Sequence, residues 1–305
     1  MVIGIGETIL DIIFKGDQPS AAVPGGSSFN AMISLGRTGV PSLLVTETGD
    51  DHVGDIIVKF MTENGVSAEY VTRRKESQSH ISLAFLNENN DASYQFYKDH
   101  AHASISGRMP EVRRGDIVLF GSFFAVNPPL RPLVKAFIEK AHESKAVIYY
   151  DINFRPTHIK EIPMVIDSIK ENMRMSTIVR GSLEDFSYLY GCNDMEMIYR
   201  NHISPYCKCF ICTDGEKPLH LFTPGMHACY PAKKIETVST IGAGDNFNAG
   251  FIYGLHRHGL VDAAAFPALK EEDWRRMIEY GLAFSSHVCT SIYNSISQDF
   301  ADSFR

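Results

Sequence analysis

The stretch Ile241-Gly242-Ala243-Gly244-Asp245 is the part of the sequence that is most informative about the fold of this chain. It lies between an extended run, Ile235 to Thr240, and a helical pattern that starts at Asn246. Two glycines around an alanine leave main-chain N–H groups uncovered, and the following helix adds its positive dipole end. Such a turn suits an anion, and the carboxylate of Asp245 would repel that anion. Its presence is explained if the turn stabilises a transferring phosphoryl group while Asp245 takes a proton from the attacking alcohol. A tight turn capped by Asp245 is the purely structural alternative.

The composition is that of an ordinary globular protein, with 305 residues, 44% of them hydrophobic and 21% charged. The formal net charge of -7 disfavours a nucleic-acid-binding protein, because such proteins usually present a basic face. No apolar run reaches the roughly 20 residues that a membrane helix needs, and the N-terminus lacks the basic start of a signal peptide. We therefore predict a cytoplasmic protein that binds neither nucleic acid nor membrane.

The spacing Cys207-x-Cys209-x-x-Cys212 superficially suggests a metal site. However, the segment from Cys209 to Cys212 continues an apolar, strand-like run, so these two side chains should face opposite ways. The pattern favours buried free thiols over zinc ligands.

Short apolar runs alternate with helical patterns along the chain, which predicts one α/β domain over residues 1–305. The predicted strands are Val2–Ile5, Ser42–Val45, Ile117–Phe120, Val147–Asp151, Thr177–Arg180 and Phe210–Thr213, and the predicted helices are Ser28–Gly39, Asp51–Asn64, Pro129–Ser144, Asp245–Arg257 and Glu271–Cys289. The alternation indicates a mostly parallel sheet covered on both faces. Ligands in such sheets bind beyond the carboxyl ends of the strands.

Two segments, approximately residues 10–22 and 70–106, break this alternation. The second contains Ser79–Leu86 and Ala92–Lys98, two alternating runs joined by a polar turn, which is typical of a β-hairpin. We predict a small antiparallel sheet that acts as a lid and excludes water from the reaction. The alternative is that this segment is a surface insertion without a function. The exposed edge of a lid could also pair with a second copy, so a homodimer is a possible assembly.

Two further motifs supply polar groups. Gly25-Gly26 precedes a helix that carries Asn30, and Asp11 follows the first strand, so a sugar could meet an amide and a carboxylate here. In the middle of the chain, Asp151, Asn153 and Arg155 alternate at the end of a strand and are predicted to share one face. A guanidinium there suits phosphate oxygens. The purely structural alternatives are a turn at Gly25-Gly26, a surface acid at Asp11 and a salt bridge at the end of the strand that carries Asp151.

Together these motifs resemble those of the ribokinase/PfkB family of carbohydrate kinases, in the family's order and over nearly the whole chain. The segments that carry the resemblance are Gly25-Gly26 with Asn30-Ala31, Gly49-Asp50-Asp51 with Gly54, Arg180 to Asp185, Cys212 to Gly215, and Thr240 to Phe251. The resemblance implies a ribokinase-like three-layer sandwich with a mostly parallel central sheet and a small antiparallel β lid. It also implies ATP and Mg2+ as cofactors and a small-molecule sugar as substrate.

The resemblance assigns roles residue by residue. Asp245 is implied as the catalytic base, with Gly242, Ala243 and Gly244 as the anion hole and Arg155 beside them. The implied sugar-binding residues are Asp11, Gly25, Gly26, Asn30, Phe96, Lys98 and Asn153, and the implied nucleotide-binding residues are Ser182, Thr213, Gly215, Gly244 and Asn248. Glu184 and Asp185 stand where the family organises magnesium.

The lid strand Tyr94 to Lys98 and the pattern Asp151-x-Asn153-x-Arg155-Pro156 are similar to those of fructokinases and 2-keto-3-deoxygluconate kinases. We therefore predict a kinase that phosphorylates a hexose, with fructose as the first choice and another sugar or nucleoside as the alternative. Ser239 replaces an acid of the family's monovalent-cation loop, so we make no prediction about potassium dependence. Pro218 and Leu282 also depart from the family's nucleotide pocket.

Two other classes of function are considered. The altered nucleotide positions motivate a catalytically weak sugar sensor, against which the complete glycine loop and Asp245 argue. Gly4-x-Gly6 after the first strand suggests a dinucleotide oxidoreductase, but Ile9 stands at the third glycine.

Overall fold

A computed structural model describes residues 1–87, 92–97 and 108–305. The strands β1 to β14 are, in chain order, Val2–Ile5, Ile9–Lys15, Gln18–Gly25, Ser42–Gly49, Val66–Ser67, Val71–Arg74, Ile81–Leu86, Ala92–Tyr97, Ile117–Gly121, Val147–Asp151, Ile178–Ser182, Phe210–Asp214, Lys217–Thr223 and Met226–Tyr230. The helices α1 to α9 are Ser27–Arg37, His52–Glu63, Arg131–Glu143, Ile162–Met175, Leu183–Tyr190, Met195–Ile198, Ala243–Arg257, Glu271–Val288 and Gln298–Asp302.

The large sheet has the strand order β14-β13-β12-β11-β10-β9-β1-β4-β5, and β6 also pairs with β4. Pairing is parallel from β12 through to β5 and β6, whereas β13 and β14 add an antiparallel edge. The predicted mostly parallel sheet is confirmed. The carboxyl ends of β1, β10, β11 and β12 therefore lie along one edge, where ligands of such sheets bind.

Two hydrophobic cores cover the two faces of this sheet. On β10 the alternation of a buried strand sends Val147 and Tyr149 into one core and Ile148 and Tyr150 into the other. The first core is closed by α1, α2, α7 and α8, and the second by α3 to α6. The helix–sheet–helix sandwich predicted from the sequence is thus confirmed.

The small sheet has the order β3-β2-β7-β8. Its outer pairs are antiparallel, which confirms the predicted β7–β8 hairpin, and its central pair, β2 with β7, is parallel. The lid prediction needs one correction, because β6 pairs with β4 of the large sheet. A buried ion pair between Arg74 and Glu47, at 2.9 Å, holds β6 there. After β6, the chain enters the small sheet again at Ile81, the start of β7. Residues 88–91 and 98–107 of the predicted lid lie outside the described residues.

The prediction that Cys209 and Cys212 face opposite ways is also confirmed. Cys209 packs into the core under α7 and α8, whereas Cys212 packs into the opposite core, and both are free thiols. Among the described residues, no helix combines the length and apolarity that crossing a membrane requires.

Candidate active site

The glycine turn before α7 has a conformation that requires glycine. Gly242 has φ +74°, and a Cβ atom there would lie 2.8 Å from the carbonyl oxygen of Asn294. Helix α7 begins at Ala243, two residues before the predicted start, and the expected extended run from Ile235 to Thr240 is not a strand. Asn246 fixes the turn, because its Nδ2 donates to the carbonyls of Gly242 and Asn294, both at 2.8 Å.

The N-terminus of α7 leaves part of the predicted anion hole available. The N–H of Ala243 donates to the carbonyl of Thr240 at 3.2 Å, so this amide is already occupied and the prediction for it is corrected. No acceptor among the described residues bonds to the N–H of Gly242 or Gly244. These two amides, at the positive end of a 15-residue helix, form an anion cradle.

Asp245 lies beside this cradle and is held by α1. The Nδ2 of Asn30 donates to its Oδ2 at 2.8 Å, and Asn30 itself is buried. Burial raises the pKa of the Asp245 carboxyl to about 7, while the Asn30 hydrogen bond and the charges of Arg155 and Arg180 oppose this rise. A carboxylate with a pKa near neutrality is suited to accept a proton at physiological pH.

Helix α1 is positioned by the Gly25-Gly26 pair. A Cβ atom on Gly26, whose φ is +128°, would lie 2.2 Å from the carbonyl oxygen of Glu7, and one on Gly25 would lie 2.4 Å from Oδ2 of Asp11. Both contacts exclude a side chain. The glycines therefore allow β3 to enter α1 directly and to place Asn30 next to Asp245.

A buried ion pair lies behind the glycine turn. Arg180 on β11 donates to Asp151 on β10 at 3.1 Å and to Oγ1 of Thr213 on β12 at 2.8 Å. A Cβ atom on Gly244 would lie 2.8 Å from Nη1 of Arg180. The guanidinium thus adds fixed positive charge directly beneath the turn. No separate role for Arg180 was predicted from the sequence.

Asn248 was predicted to contact the nucleotide, but its side chain is 2% exposed. Its Nδ2 donates to Oδ2 of Asp151 at 2.7 Å, and its Oδ1 accepts from the hydroxyl of Tyr149 at 3.1 Å. Both ends of the amide are therefore used inside the protein. The prediction is wrong in this respect, and the role of Asn248 is to hold Asp151.

The segment after β10 departs from the predicted alternation. The strand ends at Asp151, and Asn153 has φ +37°, so Asp151, Asn153 and Arg155 do not continue one strand face. Arg155 is exposed, and its charge lowers the pKa of Asp245. Arg155 is thus available to an anion, and Asn153 is only half-buried beside it.

The two carboxylates implied for magnesium have different environments. Asp185 is 6% exposed, and its oxygens accept from the N–H of Phe154 at 2.8 Å and of Ser182 at 2.6 Å. Ser182 reciprocates with its hydroxyl, which completes a capping box on α5. Burial raises the pKa of Asp185 to about 6. We therefore correct its role to a helix cap, whereas Glu184 is exposed and bonded only by Tyr188 at 2.6 Å among the described residues.

The turn after β12 carries the other nucleotide prediction. Thr213 is half-buried and supports Arg180, while Gly215 has φ +55° at an exposed turn with open space around its Cα. Both residues lie at the carboxyl edge of the large sheet, on the strand adjacent to β11.

Asp11 faces the body of the protein from the small sheet. Strand register places Asp11 opposite Ser82, and Ser82 opposite Phe96, so the three share one face. The Ser82 hydroxyl donates to Oδ1 of Asp11. Phe96 is 43% exposed at the edge strand, and Lys98 lies outside the described residues. Ser82 was missed, because only the pairing of β2 with β7 brings it to Asp11.

Asn294 was also missed. Its Nδ2 donates to Oδ2 of Asp11 at 3.2 Å, and it is 2% exposed. Its Oδ1 is buried, and nothing among the described residues donates to it. The main-chain carbonyl of Asn294 also accepts from the side chain of Asn246, which fixes the glycine turn. Asn294 therefore contacts both halves of the site. A lone asparagine in a Ser-rich segment offers no signal from sequence alone.

The profile of the pfkB family carbohydrate kinases matches residues 5–299. The chain belongs to this family. It is a sugar kinase, an ATP-dependent phosphotransferase that acts on an alcohol group, as the motifs predicted.

Relatives and solved structures agree with this assignment. The pfkB kinase is 27% identical to a fructokinase of Rhizobium leguminosarum bv. trifolii over 290 residues, which covers 90% of this chain and 86% of the relative. It superimposes on a fructokinase of Vibrio cholerae O395, in its fructose-, ADP- and calcium-bound form, with a TM-score of 0.83 at 18% identity over 99% and 98% of the two chains. An aminoimidazole riboside kinase of Salmonella enterica gives a TM-score of 0.81 at 20% identity over 100% and 99%. The two structures share the fold of this pfkB kinase.

Ser239 lies in the loop before the glycine turn. Ser239 is 3% exposed, and its hydroxyl oxygen accepts from the N–H of Ile241 at 3.2 Å. The loop is held to the end of α8, because Val238 donates to the carbonyl of Cys289 at 2.8 Å. In this pfkB kinase a hydroxyl and main-chain contacts therefore stabilise the loop that precedes the glycine turn.

Proposed function

We propose that the chain transfers the γ-phosphoryl group of ATP to a primary hydroxyl of fructose. The observation that carries the proposal is the 2.8 Å hydrogen bond from Asn30 to Asp245 beside the Gly242 and Gly244 amides. It joins a carboxylate whose pKa is about 7 to a donor that can also meet a sugar hydroxyl.

At the sugar end, Asp11, Asn30 and Asn294 supply polar atoms around the Gly25-Gly26 pair. A carboxylate and two amides can bind several neighbouring hydroxyls, which is what a hexose presents. Phe96 on the lid supplies an apolar surface for the sugar ring, and Asn153 and Lys98 remain predicted contacts. Fructokinase relatives at 27% and 23% identity support a ketohexose over other sugars.

At the phosphate end, charge on the transferring group would be stabilised by the Gly242 and Gly244 amides and by Arg155. The Arg180 guanidinium adds positive potential from below, through a buried ion pair that water cannot screen. The triphosphate and adenosine would extend towards Ser182, Thr213 and Gly215 on the adjacent strand ends. Asp245 would accept the proton of the attacking hydroxyl, and closure of the small sheet would exclude water.

Magnesium fits this site as an ion held mainly by phosphate oxygens and water. The donor set supports this arrangement, because the accessible carboxylate is Glu184, whereas both oxygens of Asp185 already accept main-chain N–H groups. When bound, the ion neutralises charge on the phosphates. We propose no role for a monovalent cation.

A coupled assay of ADP release tests the substrate. Fructose should give the highest kcat/KM among fructose, ribose, 2-keto-3-deoxygluconate, other hexoses and nucleosides. Preference for 2-keto-3-deoxygluconate or a nucleoside would replace fructose and keep the phosphoryl-transfer assignment. Tight binding of fructose by calorimetry without ADP release from any acceptor would contradict the proposal as a whole.

We also propose that the protein forms a homodimer in which the edge strands of the two lids pair. We further propose that it is located in the cytoplasm. The edge strand β8 presents Phe96 and Tyr97 with 43% and 47% of their surface exposed. All six cysteines are unpaired, as expected in a reducing compartment. Light scattering of the wild type and of a Tyr97→Lys variant tests the dimer. A monomeric wild type, or a dimer that the lysine leaves intact, would contradict it.

A further inference from the structure

The β13–β14 hairpin carries three metal-binding side chains outside the active site. His220 lies on β13, and His227 and Cys229 lie on β14. The antiparallel register places His220 opposite Cys229 and Phe222 opposite His227. Because side chains alternate along a strand, His220, His227 and Cys229 project from the same face of the hairpin.

The donor atoms of these residues are already close together. Nε2 of His227 lies 3.1 Å from Nδ1 of His220 and 3.9 Å from Sγ of Cys229. All three donor atoms lie within 4.8 Å of one another. Bonds of about 2.0 Å to nitrogen and about 2.3 Å to sulfur place the ligands of a tetrahedral zinc ion about 3.3–3.6 Å apart. The hairpin therefore needs only side-chain adjustments to hold such an ion.

The surroundings restrict the ring of His227. It stacks on Phe222 with centroids 4.2 Å apart, which limits its rotation. A hydrogen bond between the two histidines explains their own spacing but gives no reason for the exposed thiol beside them.

The site also has room for a fourth ligand. His220 and His227 line a cavity of about 420 Å³ together with Asp194, Glu196 and Asp214. Water can therefore reach an ion held by the hairpin. Three protein ligands with one open position are typical of zinc sites that bind an exogenous molecule.

We propose that His220, His227 and Cys229 form a zinc site on the hairpin, with the fourth position open to this cavity. Cys229 binds as the thiolate, and its proton is released to solvent on binding. The ion links the edge strand β14 to β13, which follows the Thr213–Gly215 turn. Zinc should therefore raise the melting temperature of the protein without entering the phosphoryl-transfer site.

Cobalt(II) titration of the full chain, after chelation and under reducing conditions, tests the site. We expect one ion per chain, the intense visible absorption of tetrahedral cobalt, and a thiolate-to-cobalt band in the near ultraviolet, all abolished by zinc. Cys229→Ser should remove the thiolate band and weaken binding at least about 100-fold, because loss of an outer-shell partner alone costs 10–100-fold. Cys192→Ser is the matched control. Cys192 is a half-buried free thiol near the cavity, where its Sγ donates to the carbonyl of Asp194 at 3.7 Å, but it is not one of the three donors and its loss should change neither property.

His220→Ala should also weaken binding, whereas His258→Ala, on a surface turn, should not. Circular dichroism of the metal-free variants shows whether each is folded, so a loss of binding cannot be mistaken for misfolding. The proposal is overturned if the wild type binds no cobalt, if Cys229→Ser binds as tightly as the wild type, or if Cys192→Ser abolishes the thiolate band.

Discussion

Asn30 and Asp245 are 215 residues apart in the sequence, yet their side chains are joined by a hydrogen bond of 2.8 Å. The bond connects the first helix of the chain with the helix that follows the glycine turn. It fixes the direction of the carboxylate and stabilises its charged form against burial. Asp245 is thereby oriented for its proposed role as a base before any substrate arrives.

Asp245→Asn should lower kcat by about 10²–10⁴-fold, the usual contribution of a general base. The amide has nearly the same shape but cannot accept the hydroxyl proton. Sugar affinity, measured by calorimetry, should change by less than about 3-fold, because the base acts in the transition state. Asp299→Asn, at an exposed acid on α9, is the control. Near-normal turnover by the Asp245 variant would remove the proposed base.

Activity should rise with pH through about 7, since Asp245 must be ionised to act as a base. Arg155→Ala should move this apparent pKa upward, because the guanidinium lowers the pKa of the carboxyl. Arg155→Lys keeps the charge and should leave the pKa near its wild-type value. The measurement is log(kcat/KM) between pH 5 and 9. A profile that is flat across this range would contradict the assignment.

The same carboxyl should make stability depend on pH. Its pKa is about 7 in the folded protein and 3.8 as the ordinary value, so the folded state binds the extra proton between these values. Stability is therefore lost as pH rises through this window, and the loss is complete above pH 7. Asp245→Asn removes the buried charge. The substitution should therefore raise the free energy of unfolding, measured in urea, by about 2 kcal/mol more at pH 8 than at pH 5. An equal increase at both pH values would show that burial does not raise the pKa of the Asp245 carboxyl.

Arg180 and Asp151 are 7% and 4% exposed, so neither charge is solvated if its partner is lost. Arg180→Met should destabilise the protein by about 3–5 kcal/mol, because it leaves an unpaired buried carboxylate. Adding Asp151→Asn should recover part of this loss. Denaturant unfolding of both single variants and the double variant measures the coupling. Strictly additive losses would mean that the pair does not act as a unit.

Asn294→Ala should raise the KM for the sugar by roughly 10-fold and change kcat less. The substitution removes the donor to Asp11 and a buried Oδ1 that a sugar hydroxyl can satisfy, and each such bond is worth about 1–1.5 kcal/mol. Ser291→Ala, in the same segment, is the control for local disruption. A fall in kcat with an unchanged KM would assign Asn294 to the support of the glycine turn instead.

The sequence predicted the parts of the site that local chemistry determines. The glycine turn, Asp245, Asn30 and the Gly25-Gly26 pair each carry their signal within a few residues, because turn conformation and helix N-termini are local properties. The strand–helix alternation likewise predicted the sandwich, since buried parallel strands need helices on both faces.

What the sequence did not predict depends on register and packing. Ser82 reaches Asp11 only through the parallel pairing of β2 with β7, and Arg180 lies under Gly244 only because β11 lies between β10 and β12. Asn248 was assigned wrongly, because its position on α7 fits the motif while its amide points into the core. The three donors of the β13–β14 hairpin are seven and two residues apart, a spacing that indicates no site until the strands are paired.

The contact between Asp11 and Asn294 joins residues separated by 283 positions. A ribosome must therefore release the chain past position 294 before this contact can form. Nascent chains that stop short of that position carry Asp11 and the glycine turn without the residue that contacts both. The two halves of the site are therefore joined only after translation has run past that point.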